Sequence, residues 1–109
     1  MNSLDLVSYF FGGAFLANMM PHFVSGVLGR PFQTPFAKPS GEGLSSSTVN
    51  VLWGFFNGIV AYVLLCRVGE FNLKSTADIA VSGLGILLIS FFSARHFGRF
   101  HGGNAPERS

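Results

Sequence analysis

Apolar residues come in three long runs that charge scarcely interrupts. Residues 6–28 and 44–66 each give 23 positions without Asp, Glu, Lys or Arg, and residues 76–94 give 19 with a single acid, Asp78, near the start. At 1.5 Å of rise per residue, 23 helical residues reach roughly 34 Å, against a hydrocarbon layer of about 30 Å. The pattern predicts an all-α integral membrane protein with three transmembrane helices, over 4–29, 47–67 and 75–96, in a single membrane domain covering 1–109.

Polar and turn-forming residues punctuate the runs. The connection 30–46 is rich in Pro, Gly and Ser and carries two Pro-Phe pairs, Pro31-Phe32 and Pro35-Phe36. Proline holds the residue before it extended, and a disordered linker rarely carries such large aromatics, so this loop is expected to be ordered. Ser47 and Thr48 are good residues to open the second helix, and Gly69 suits its end. The turn over 68–74 is short, which predicts that helices two and three are antiparallel neighbours. Ser75 and Asp78 have capping-box spacing at the start of helix three, where an acid faces the positive end of the helix dipole. A basic C-terminal tail over 97–109 follows, continuing from Arg95 and His96 with Arg99, His101 and Arg108.

Composition agrees with an apolar solvent. Only 11% of the 109 residues are charged, where about 25% is usual, and a soluble domain of this size needs more polar groups for its surface. The net charge of +2 is small and basic residues flank the runs, which fits phospholipid headgroups better than nucleic acid. Arg30, Lys38, Arg95 and Arg99 are the candidate headgroup contacts. With three spans, Arg30, Lys38, Arg95, Arg99 and Arg108 share one side, and Arg67 and Lys74 the other. This asymmetry predicts an outside N-terminus and a cytoplasmic C-terminus. The first five residues contain no Lys or Arg, so the first run is expected to be a retained span rather than a cleaved signal. The one cysteine, Cys66, permits no internal disulfide, and no metal site is expected.

Candidate chemistry lies in the polar residues within the runs. On helix one, Ala14, Asn18, His22 and Gly26 recur every fourth residue and share a face. Pro21, beside them, removes a donor, frees the Ala17 carbonyl and predicts a kink. On helix two, Asn50, Gly54, Asn57 and Gly58 form a second small and polar face, with Gly54 and Gly58 in GxxxG spacing. Small residues let lipid-embedded helices approach closely and polar ones need partners there. Asn18, Pro21, His22, Gly26, Asn50, Gly54, Asn57 and Gly58 are therefore the expected helix-packing or partner contacts, with Asn18 or His22 the expected partner of Asn57. His22 is also the one candidate to bind haem or a (bacterio)chlorophyll. Catalysis is not expected, because no nucleophile–His–acid set, paired intramembrane carboxylates or phosphate-binding loop occurs.

The strings Asn18-Met-Met-Pro-His-Phe23, Gly26-Val-Leu-Gly29, Phe32-Gln-Thr-Pro-Phe-Ala37 and Ser46-Ser-Thr-Val-Asn-Val-Leu-Trp-Gly54 resemble a group of small bacterial inner-membrane proteins with no assigned activity. The likeness covers the first half of the chain. It implies a bacterial membrane protein, expected in the inner membrane, cytoplasmic or intracytoplasmic, as a multi-pass protein whose outside N-terminus, from the Lys and Arg asymmetry, is then periplasmic. Three functions suit such a body. The first is a non-catalytic accessory subunit of a larger photosynthetic or respiratory complex, in contact with lipids and other integral subunits. The second is a small homo-oligomeric transporter or channel lined by Asn18, His22 and Asn57. The third is a haem or (bacterio)chlorophyll binder through His22. No cofactor is required by the first; bound lipids are expected.

Overall fold

The computed structural model describes residues 2–106. Three helices, α1 (Ser3–Val27), α2 (Ser47–Cys66) and α3 (Thr76–His101), account for most of them. Each helix begins at a side-chain cap that satisfies a free backbone N–H. Asn2 accepts from the Asp5 amide at 2.9 Å, Ser46 from Val49 and Ser75 from Asp78, both at 3.2 Å. At the far end of α1, Gly29 adopts φ 75°, and the Gly29 and Arg30 amides return to the Gly26 and Ser25 carbonyls at 3.0 and 2.9 Å. This is a Schellman ending, which needs a residue that tolerates left-handed backbone.

Two of the three helices, α2 and α3, are long and apolar enough to cross a membrane. This corrects the expectation of three transmembrane helices. Helix α1 is long enough, but its charge-free run includes Ser8, Tyr9, Asn18, Pro21 and His22. Those groups dilute its apolar character, and Ser8, Tyr9 and His22 are buried against neighbouring elements.

A second correction concerns neighbours. Helices α2 and α3 scarcely touch each other; α1 packs against both. Glycines on each side of α1 make this possible. A Cβ on Gly13 would collide with the Ser82 carbonyl of α3, and one on Gly26 would lie 2.7 Å from the Ser47 carbonyl of α2. The 68–74 turn passes over the start of α1, where Tyr9 meets Phe71 edge to face at 5.1 Å.

The third correction is at the C-terminus. Helix α3 does not end at residue 96 but continues to His101, stopping at Gly102 with φ 82°. The first part of the expected tail is thus helical, and Arg108 lies outside the described residues. The 30–46 connection holds a short antiparallel ribbon, β1 (Phe32–Gln33) on β2 (Leu44–Ser45), with Phe32 opposite Ser45. It covers one end of the bundle.

Candidate functional site

The ribbon end holds a connected polar network. Asn50, on the first turn of α2, is fully buried. Its Nδ2 donates to the carbonyls of Phe32 and Ser45 at 3.2 Å and of Ser46 at 3.0 Å. One amide thereby fixes both ribbon strands to α2. The same assignment turns Asn50 Oδ1 toward His22, whose Nδ1 lies 2.9 Å away. An amide oxygen only accepts, so His22 Nδ1 carries the proton and Nε2 keeps the lone pair. No hydrogen bond to Nε2 occurs among the described residues.

Aromatic rings enclose the imidazole. Phe32, Phe97 and Trp53 meet it edge-on at centroid distances of 5.5, 6.0 and 6.3 Å. The other two histidines join the same cluster. His101 stacks on Phe32 at 5.0 Å and donates from Nε2 to Gln33 Oε1 at 2.8 Å. His96 meets Phe97 at 5.0 Å and donates from Nε2 to the Gly41 carbonyl at 2.6 Å. The extension of α3 beyond residue 96 is what brings His101 to the ribbon.

One turn deeper, Asn18 Nδ2 donates to Asn57 Oδ1 at 3.0 Å, and Asn57 Nδ2 donates to the Trp53 carbonyl at 2.7 Å. The structure thus pairs Asn18 with Asn57 and His22 with Asn50. Gly54 lies between the two pairs, with Phe23 backbone against it, whereas Gly58 faces the side chain of Met19. Of the GxxxG pair, Gly54 makes the backbone crossing. Pro21 lies within an α1 that continues helical on both sides of it.

A cleft of about 270 Å³ opens beside His22, between the ribbon and all three helices. Trp53 lines it, and the Trp53 Nε1–H is buried without a hydrogen-bond partner among the described residues. Gln33 of β1 and the adjacent Thr34, both buried, also line it; the sequence offers neither as a site residue. Their signal is the unusual Pro-Phe-Gln-Thr-Pro-Phe string, in which no periodicity marks Gln33 or Thr34.

The candidate headgroup residues Arg30, Lys38, Arg95 and Arg99 are all exposed. Arg99 lies 4.0 Å from Glu42, with both side chains about half exposed. Such a pair is worth little, and Arg99→Ala should change the melting midpoint by the equivalent of less than about 0.5 kcal/mol. Thermal unfolding in mild detergent measures this.

At the opposite end Asp78, the third residue of α3, does not return to its own cap. Its Oδ2 accepts from the Asn72 amide at 2.9 Å, and its buried Oδ1 has no partner among the described residues. No group of three His, Cys, Asp or Glu side chains placed to hold a metal ion occurs among the described residues.

The class these features define is a small helical body with two helices capable of crossing a membrane and a polar, aromatic-walled site at one end. No family model, curated protein or solved structure matches the chain.

Proposed function

We propose that the chain is a non-catalytic accessory subunit of a larger bacterial membrane complex, respiratory or photosynthetic, anchored in the inner membrane by α2 and α3. The observation that carries this reading is an inverted distribution of polarity. The fully buried large side chains are Tyr9, Asn50, Asn57 and Thr34, while Leu52, Phe55, Leu87 and Phe91 are each at least 60% exposed. In water the large apolar groups go inside. A body that hides amides and displays phenylalanines is matched to acyl chains and to the apolar faces of other integral subunits. The bacterial setting rests on the sequence resemblance, and lipids are the expected companions of the exposed faces.

Orientation follows from Lys and Arg placement. The ribbon end carries Arg30, Lys38, Arg95 and Arg99, and the turn end Arg67 and Lys74. The ribbon end is therefore assigned to the cytoplasm. With α2 and α3 as the spans, the 68–74 turn between them is assigned to the periplasm.

Two other functions fit the geometry less well. Of the residues expected to line a path between copies, His22 and Asn57 are buried, and Asn18 is bonded to Asn57 and His22 to Asn50 within one chain, which leaves them little part in lining such a path. A cleft of about 270 Å³ beside His22 lies below the usual range of about 300–1,000 Å³ for small-molecule pockets, and a tetrapyrrole macrocycle is large for it.

The test is gentle solubilisation of native membranes followed by separation of intact complexes. Co-migration with larger integral subunits is the expected result. Recovery as an isolated chain in every fraction rejects the subunit reading, and release into buffer by carbonate washing rejects the membrane anchor.

A further inference from the structure

We infer that the cleft beside His22 is a binding site for a small neutral hydroxylated ring compound, of the phenol and hydroquinone class. The inference stands apart from the subunit reading, because the cleft is formed within one chain. Three observations specify the ligand.

Size is the first. An apolar cavity of about 150 Å³ accepts benzene, so about 270 Å³ admits one substituted ring. The second is the character of the wall. Trp53, Phe92 and Phe97 present aromatic surface, and the lining contains no carboxylate, Lys or Arg. A flat, uncharged ring suits such surfaces through edge and offset contacts, whereas an anion or ammonium would lose its hydration without a counter-charge.

The third observation is a pair of unanswered polar groups. His22 is 2% exposed, and its Nδ1–H is committed to Asn50, so Nε2 offers a lone pair. Trp53 offers a buried Nε1–H that donates to nothing among the described residues. Both side chains line the cleft, with ring centroids 6.3 Å apart. Burying the Trp53 donor without a partner is costly, and native structures rarely leave such a group unmet; His22 Nε2, beside it on the cleft wall, makes no hydrogen bond among the described residues either. A single hydroxyl answers both, because its hydrogen donates to His22 Nε2 while its oxygen accepts from Trp53 Nε1–H. A ketone or ether oxygen only accepts and leaves the imidazole lone pair unmet. Water has the right polarity, but it would fill an aromatic-walled space of this volume poorly.

The chain supplies its own reporter, since Trp53 is its one tryptophan. The experiment titrates phenol, then anisole, into the purified full chain in mild detergent and follows Trp53 emission, excited at the red edge of its absorption. Anisole keeps the ring and the oxygen but has no hydrogen to donate. A saturable response to phenol, with anisole binding about tenfold more weakly or worse, is the expected result. His22→Phe, which keeps an aromatic ring but removes the lone pair, should reduce phenol binding to the anisole level. Equal titrations by phenol and anisole overturn the inference, as does a response that rises linearly without saturating. If His22→Phe does not fold, the comparison of the two ligands on the unmodified chain decides alone.

Discussion

Replacing Gly54 with Leu costs about 3 kcal/mol or more and separates α1 from α2. A Cβ on Gly54 would stand 2.7 Å from the Phe23 amide nitrogen and 2.9 Å from its Cα. Both are backbone atoms of a helix, so neither can swing aside, and relief requires moving the helices apart. Overpacking in tight cores costs about 1–3 kcal/mol when side chains can adjust; a backbone neighbour puts this site at or beyond the upper end. The polar bonds on either side of the crossing fail with it, because Asn18–Asn57 and His22–Asn50 both join α1 to α2. Gly58→Ala, one turn away, is the control. Its Cβ meets only the Met19 side chain, with the sulfur at 2.6 Å, and a flexible thioether can move away, so the cost should stay under about 1 kcal/mol. Thermal unfolding of both variants in mild detergent measures the contrast. Equal midpoints for the two would mean that the α1–α2 contact does not depend on Gly54.

The same crossing illustrates how much of the molecule was legible in the sequence. Run length and capping residues located the three helices to within a few residues, apart from the C-terminal end of α3. The small and polar residues of helices one and two are Asn18, Pro21, His22, Gly26, Asn50, Gly54, Asn57 and Gly58; all but Pro21 meet across α1 and α2, whereas Pro21 lines a cleft with Ile86 and Ser90 of α3. What failed was the use of charge as a proxy for apolarity. A run free of Asp, Glu, Lys and Arg still contains Ser8, Asn18, Pro21 and His22, and the transfer cost of such groups is considerable; counting ions missed it. The arrangement of neighbours failed for a different reason. A short 68–74 turn limits the distance between the ends of α2 and α3, not what lies between their bodies. The contacts of Gly13 and Gly85 with α1–α3 backbone carbonyls depend on where the helices cross, which periodicity alone does not encode. The cleft was hidden because its ribbon wall comes from a segment with no helical or strand period to read. The ending of α3 at residue 101 was hidden because Arg95, His96 and Arg99 look like a solvated tail, while His96 and His101 in fact hydrogen-bond to Gly41 and Gln33.

The ribbon end, in turn, depends on one amide. Asn50→Leu keeps the branched outline and the number of side-chain heavy atoms at a fully buried position and deletes every hydrogen bond the side chain makes. The Phe32 and Ser45 carbonyls lose a donor, and His22 Nδ1–H loses its acceptor. Each buried group left without a partner costs about 1–3 kcal/mol, although polar contacts in membrane proteins often fall to about 0.6 kcal/mol because the unfolded chain finds other partners. The expected loss is about 3 kcal/mol, together with release of the ribbon from α2. Release has its own optical signature. Phe36 of the connection covers Trp53 edge to face at 4.8 Å, so Trp53 emission should shift as that cover lifts. A double-mutant cycle separates the His22 contribution from the rest. In His22→Phe with Asn50→Leu the stranded imidazole N–H is gone, and the combined loss should fall short of the sum of the single losses by about 1 kcal/mol. Strict additivity would mean that His22 and Asn50 do not act as a pair. An Asn50→Leu midpoint equal to that of the parent would remove the amide from any role in holding the ribbon, and with it the reason for the cleft to keep its shape.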